Sequence, residues 1–192
     1  MPVDPARLNA VGDLVLNDPR ELRALADPKR LALFDLLRRE GSMTTAELAQ
    51  GVDLDQGGVE EGLRELESLG LLERAVGPNG ETRWASAVKG IYFEIPDDPE
   101  GQVAARRLSS AMIANYAELP TAWVRDQEPR LDLEWARAAG LFNARVRLTA
   151  GELRDIQQQL ERLLAPLTTR ADANVPPGAS PVRILGFFLP DA

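Results

Sequence analysis

Apolar positions recur at helical spacing three times between residues 28 and 70 and then give way to short extended runs. Leu31, Leu33, Phe34, Leu36 and Leu37 follow Asp27-Pro28, an aspartate suited to capping and a proline suited to a first helical turn. This pattern predicts a helix from Pro28 that stops at Gly41. Thr44 and Glu47 have the spacing of a capping box, so a short second helix is expected over 45–50. A third is expected after Asp55, with Val59, Leu63, Leu66 and Leu69 on its inner face and Gly70 as a left-handed cap. Residues 71–76 and 81–86 then read as two strands around Gly77-Pro78-Asn79-Gly80, a hairpin.

Past the hairpin, 88–95 is a β-prone run ended by Pro96. Asp97-Asp98-Pro99-Glu100 opens a long helical stretch carrying Val103, Leu108, Ala111, Met112, Tyr116 and Leu119, which Pro120 should kink or divide. Ala104, Ala105, Ser109, Ser110, Ala111 and Ala114 are small enough to admit a second helix, from this chain or from another copy. A short helix through Trp135 is expected next, then a strand over 141–148. Thr149 and Glu152 form a second capping box before an amphipathic helix bearing Leu153, Ile156, Leu160, Leu163 and Leu164. A Pro-, Gly- and Ala-rich loop over 168–181 leads to a final strand over 182–189, stopped by Pro190. This strand-helix-strand unit needs another strand, for which 88–95 is the nearest candidate, or a partner's edge. The expected fold class is therefore α+β and mainly helical. An N-terminal winged helix-turn-helix domain spans 19–87, and 88–192 forms a helical dimerisation region with a small C-terminal strand-helix-strand unit.

On Asp27-Pro28-Lys29-Arg30-Leu31, on Thr45-Ala46-Glu47-Leu48-Ala49 and on the leucine-rich stretch 63–72, the chain resembles the ArsR-type winged-helix transcriptional regulators. Gly90-Ile91-Tyr92-Phe93-Glu94 and the run 181–185 extend the likeness to longer, two-part members of that group. The resemblance implies a dimer that lays its third helix in the DNA major groove. The positions it turns toward base edges are Gln56, Gly57, Gly58, Glu60, Glu61 and Arg64, where relatives usually place Ser, Thr, His, Arg or Lys.

Charge works against that picture. Between Asp53 and Glu73 stand seven acids (Asp53, Asp55, Glu60, Glu61, Glu65, Glu67 and Glu73) and one base, Arg64. Carboxylates on a presenting face are repelled by the phosphate backbone, although a glutamate can accept a hydrogen bond from a cytosine amino group. The glycines at 57, 58 and 62 each cost about 1 kcal/mol in a helix interior, so a late start or a frayed first turn is expected. Either they allow close approach to DNA or they mark a helix relaxed from base reading. Positive charge survives at Arg20, Arg23, Lys29, Arg30, Arg38 and Arg39, and in the wing at Arg74 and Arg83. These bases, with Thr44 and Thr45 at a helix N-terminus, are the candidate phosphate contacts, and Asn79 is all the wing tip offers.

The formal net charge is −8 over 192 residues, with 44% hydrophobic residues, enough to form a core and unsuited to nonspecific binding of DNA or anionic membranes. Cys and His are both absent, which excludes thiolate metal sensing, disulfide switching, imidazole catalysis and Cys/His zinc sites. No apolar run is long enough to span a bilayer, and Met1-Pro2-Val3-Asp4-Pro5 lacks the features of a secretion signal, so a cytoplasmic protein is expected. Arginine displaces lysine everywhere but at Lys29 and Lys89, a bias associated with GC-rich bacterial genomes.

Two functions compete. One is a dimeric regulator, such as a repressor, whose partners are double-stranded DNA and a second copy, with no cofactor and no metal. A small apolar organic effector is a further candidate ligand, in a pocket where the long helix meets the C-terminal sheet, lined by Tyr116, Trp123, Trp135, Phe142 and Phe187. The other is a winged-helix adaptor or anti-regulator whose acidic third helix binds a basic protein surface. No catalytic constellation is present, and an enzyme is not expected.

Overall fold

The computed structural model of the chain describes residues 3–52 and 54–190, so Asp53, Met1, Pro2, Asp191 and Ala192 lie outside the described residues. The architecture is α+β and mainly helical. Side-chain caps set where its helices begin. Asp18 caps α1 (Pro19–Leu25), Asp27 caps α2 (Pro28–Glu40), Thr44 caps α3 (Thr45–Gly51) and Asp55 caps α4 (Gln56–Ser68). Glu21 and Glu47 complete capping boxes in α1 and α3. At the far end of α4, the Leu71 N–H donates to the Leu66 carbonyl and the Gly70 N–H to that of Glu67, both at 3.0 Å. Gly70 takes φ +75°, and this paired geometry turns the chain into the wing. There β2 (Leu72–Val76) pairs antiparallel with β3 (Thr82–Ser86), Arg74 opposite Trp84.

One hydrophobic cluster joins these elements. Leu33, Phe34, Leu36 and Leu37 of α2 meet Leu48 of α3, Val59, Leu63 and Leu66 of α4, and Trp84 of β3. Two elements that periodicity does not signal close the cluster from the N-terminal side. The strand β1 (Asp13–Val15) contributes Leu14 and runs parallel to β4 (Gly90–Tyr92), with Leu14 opposite Ile91, while α1 contributes Leu22 and Leu25. The long helix α5 (Pro99–Tyr116), capped by Asp98, packs on α1 and buries Ala104, Ala105 and Leu108. Ala104 and Ala105 thus serve a helix pair within the chain, whereas Ser110 and Ala114 of the same set remain exposed.

Pro120 divides the stretch as expected. It sits in the first turn of α6 (Leu119–Ala122), and a wider turn carries the backbone through Gln127. Beyond lie α7 (Leu133–Ala138) and α8 (Ala150–Thr168), the latter opened by the Thr149–Glu152 capping box.

The strands expected over 141–148 and 182–189 do not form. Among the described residues neither run makes a backbone-to-backbone hydrogen bond, and the sheets consist of β1 with β4 and β2 with β3 alone. The run 88–95, expected to receive them, pairs only at Gly90–Tyr92, and its partner is β1. An extended run gains nothing as a strand until its N–H and C=O groups meet another strand, and the three residues of β4 offer too short a ladder to recruit eight.

Candidate nucleic-acid interface

The helix-turn-helix geometry comes from the tight packing of α2, α3 and α4. Val59, Gly62, Leu63 and Leu66 turn inward, which leaves Gln56, Gly57, Glu60, Glu61, Arg64 and Glu65 as the outer face of α4. All but one of the positions read from sequence as facing DNA lie there; Gly58 is half-buried instead, and Glu65 joins the face. Their glycines behave differently from expectation, because α4 begins directly at Gln56, with neither a late start nor a lost first turn. The Gly58 N–H donates to Asp55 Oδ1 at 2.7 Å and secures that turn. Gly62 serves neither DNA approach nor relaxation. A Cβ there would lie 2.8 Å from Leu33 Cδ1, so its absence lets α4 press against α2.

Arg74 and Arg83, chosen from sequence as phosphate contacts, both pair with carboxylates of the module, Arg74 on its surface and Arg83 half-buried. Arg74 Nη2 lies 2.7 Å from Glu67 Oε2, and its guanidinium sits 4.9 Å from the Trp84 ring centroid. The Glu67 hydrogen bond raises the arginine further above its ordinary range. Arg83 donates to the Ser42 carbonyl at 2.6 Å, to Glu47 at 3.1 Å and to Glu81 at 3.4 Å. Glu47 titrates below its usual range because the Thr44 N–H donates to it, with the Thr44 hydroxyl and Arg83 adding to the effect. Thr44 itself is occupied as a cap, its Oγ1 accepting from the Glu47 N–H at 3.2 Å, and Thr45 is half-buried in the first turn of α3. Asn79 is exposed at the wing tip, with its N–H donating to Glu81 at 3.1 Å. Arg64 is exposed and donates to the Glu60 carbonyl at 3.2 Å, with no acid in ion-pair reach among the described residues.

The structure gathers a different basic surface. Arg23, Arg30, Arg106 and Arg107, with Asp27, Val103 and Ser110, line an open groove of about 810 Å³ between α1, the start of α2 and α5. Arg23 pairs with Glu100, and Arg30 donates to the Ala24 carbonyl at 2.6 Å. Arg106 and Arg107 are exposed and have no partner among the described residues. A smaller hollow of about 180 Å³, lined by Asp27, Lys29, Arg30, Leu33, Leu54, Gly58, Glu61 and Gly62, continues the groove to the N-terminal half of α4. Sequence reading overlooked Arg106 and Arg107. Their signal was a basic doublet between the inward-facing Ala105 and Leu108 of one helix.

The five aromatics proposed to line an effector pocket lie on α5, on the wider turn after α6, on α7 and on the two extended C-terminal runs. Tyr116, Trp123 and Trp135 are half-buried, Phe142 and Phe187 are exposed, and neither groove described above is lined by any of them. The helix-sheet junction that was to hold them has no sheet. Tyr116 instead joins a polar knot. Its hydroxyl donates to Asp35 Oδ1 at 3.3 Å, Asn115 Nδ2 donates to Asp35 Oδ2 at 2.7 Å, and Arg38 Nη1 lies 3.2 Å from Oδ1. Burial, reinforced by the Asp35 carboxylate, pushes the Tyr116 phenol above its usual range, and Arg183 lies over its ring at 5.9 Å. Among the described residues no three carboxylates converge as a metal site, and no helix is long and apolar enough to cross a membrane.

Two helices joined by a turn, with a hairpin following, define a winged helix-turn-helix. The family model of a helix-turn-helix domain matches residues 25–75, from the last residue of α1 into β2. A comparison with curated proteins finds no match. The matched domain supports a DNA-binding regulator rather than an enzyme.

Proposed function

We propose that the protein is a cytoplasmic DNA-binding transcriptional regulator of ArsR-like type that acts as a homodimer, holding DNA mainly through phosphate contacts. The observation that carries this reading is the outward face of α4 on a helix-turn-helix scaffold, beside a basic groove that reaches its first turns. With Arg30, Arg74 and Arg83 each paired with a carboxylate, the residues proposed to meet phosphates are Lys29, Arg106 and Arg107. Glu60 and Glu61 then face the major groove as acceptors for cytosine amino groups and exclude sequences that offer none.

Gel shifts with fragments upstream of the gene, over a salt series, test this. Log affinity should fall linearly with log salt, and Arg106→Ala with Arg107→Ala should weaken binding to every sequence and lower the salt slope by about 2. Failure to bind any genomic fragment at low salt removes the reading. One observation favours a second: the only base on the outer face of α4, Arg64, is turned back on the Glu60 carbonyl, leaving an acidic surface suited to a basic protein. In that case a basic partner captured from lysate should be lost when Glu60 and Glu61 become Gln.

A further inference from the structure

The groove between α1, the start of α2 and α5 inverts the charge of the chain around it. Acids outnumber bases 30 to 22 overall, yet the groove presents Arg23, Arg30, Arg106 and Arg107 against one lining acid, Asp27. That acid is already engaged: its carboxylate accepts from the Lys29 and Arg30 N–H groups as the cap of α2, and lies 3.9 Å from the Arg30 guanidinium. Glu100 answers Arg23. Arg106 and Arg107 are left with no counter-charge among the described residues, side by side on α5 with Cα atoms about 3.8 Å apart. Two forked guanidiniums on one helix face can converge on a single doubly charged phosphate or dicarboxylate, and the exposed Ser110 hydroxyl one turn along, likewise without a partner among the described residues, adds a donor.

The rest of the lining is apolar. Ala26, Pro28, Val103 and Ala111 share the groove with the arginines, and Val103 is 51% exposed although its neighbours Ala104 and Ala105 are buried. A DNA backbone would use the arginines alone, since its phosphates gain nothing from an apolar wall. A small organic anion uses both, in a groove whose volume of about 810 Å³ falls in the roughly 300–1,000 Å³ range of ligand sites.

We propose that this groove is a binding site for a small organic dianion with an apolar body. Arg106 and Arg107 hold the charge, and the body lies over Val103, Ala111, Ala26 and Pro28. The site shares its two arginines with the phosphate contacts of the proposed regulator. On that reading ligand and DNA exclude one another, and occupancy of the groove lowers DNA affinity.

Isothermal titration calorimetry on the full chain without DNA, in mildly alkaline buffer with naphthyl phosphate as the probe, should show one saturable site per chain. Naphthyl sulfate has the same body and a single charge, and inorganic phosphate has the charge and no body; each should bind at least about tenfold more weakly. Arg106→Gln with Arg107→Gln should weaken naphthyl phosphate by about tenfold or more, and Val103→Ser by about threefold. All three positions are exposed, so far-ultraviolet circular dichroism should keep the helical signal. Arg147→Gln with Arg154→Gln, exposed arginines beyond α7, should leave binding unchanged, which separates the groove from the apolar surface of the C-terminal runs. No saturable binding, equal affinity for either reference compound, or an equal loss in the Arg147 and Arg154 variant would each overturn the proposal. In gel shifts, saturating naphthyl phosphate should lower DNA affinity, and an unchanged affinity would overturn the sharing of the arginines. Since the calorimetry uses no DNA, absence of any gel shift would count against the regulator reading and leave the binding site standing.

Discussion

Residues 14–108 and residues 139–190 are both rich in regularly spaced leucines, yet every buried apolar residue among the described ones lies between Leu14 and Leu108. In the first region each apolar stripe has an opposing stripe: α2 against α4, α1 against α5. In the second, α8 carries a capping box and a strongly one-sided apolar face, and still leaves Leu163 and Leu167 exposed. Pattern makes an element, and only an opposing element makes a core. The difference teaches that amphipathicity read from one chain is a demand for a partner and does not say where that partner resides.

The same substitution in the two regions should break this comparison most plainly. Phe34→Ala, at 1% exposure, should cost about 3–5 kcal/mol of stability, whereas Phe142→Ala in the monomer should change it by less than about 0.5 kcal/mol. Urea denaturation of both variants measures the contrast, and comparable losses would mean that the C-terminal region has a core of its own. Next comes the polar link between α2 and the end of α5. Asp35→Ala strands Asn115, Tyr116 and Arg38, and should cost about 1–3 kcal/mol. Thermal unfolding reads this loss; a change near zero would show that the knot is not formed.

Within the helix-turn-helix, Gly62→Ala and Gly57→Ala should move in opposite directions. The first forces a methyl group toward Leu33 and should destabilise by about 1–3 kcal/mol, while the second meets only open space and ordinary contact with Asp55 and should stabilise by up to about 1 kcal/mol. Equal signs in urea midpoints would refute the close approach of α2 and α4.

The smallest effect tests where α8 touches the body. Burial raises the Asp13 carboxyl above its usual range, against the pull of Arg38, and Glu161 of α8 adds to the rise. A carboxyl whose folded pKa is raised binds protons more tightly when folded, so its contribution favours folding at low pH and is lost as pH rises through the raised value. Asp13→Asn should remove that slope from a urea-midpoint titration, and Glu161→Gln should reduce it slightly. An unchanged slope in both would place neither group at this seam.

Much of the first region was legible because its signals are local. Asp27, Thr44 with Glu47, Asp55 and Gly70 mark helix ends within a few residues of the groups they cap, and the hairpin follows from Gly77-Pro78-Asn79-Gly80. The strand β1 was not legible, since three residues carry no period and their partner lies at residues 90–92. The helix α1 did leave a trace in the spacing of Asp18 and Glu21, but seven residues gave little periodicity. At the candidate interface, sequence identified the outer face of α4. It did not reveal that Arg74 answers Glu67 or that Arg83 answers Glu47, because each pair forms between separate elements.

The contacts that root the helix-turn-helix share one span of chain. Asp13 registers with Gly90, Arg23 pairs with Glu100 and Asn115 reaches back to Asp35, each across roughly 80 residues. Closing a loop of that length has a large entropic cost once, and after the first of these contacts forms the others close much shorter loops. Folding should therefore pass through a late, nearly all-or-none closure of the N-terminal strand and helix onto the long helix, after the local turns of the module are made. A kinetic bottleneck of that kind would appear as slowed refolding when β1 is weakened, with little change in how fast the hairpin and the short helices first form.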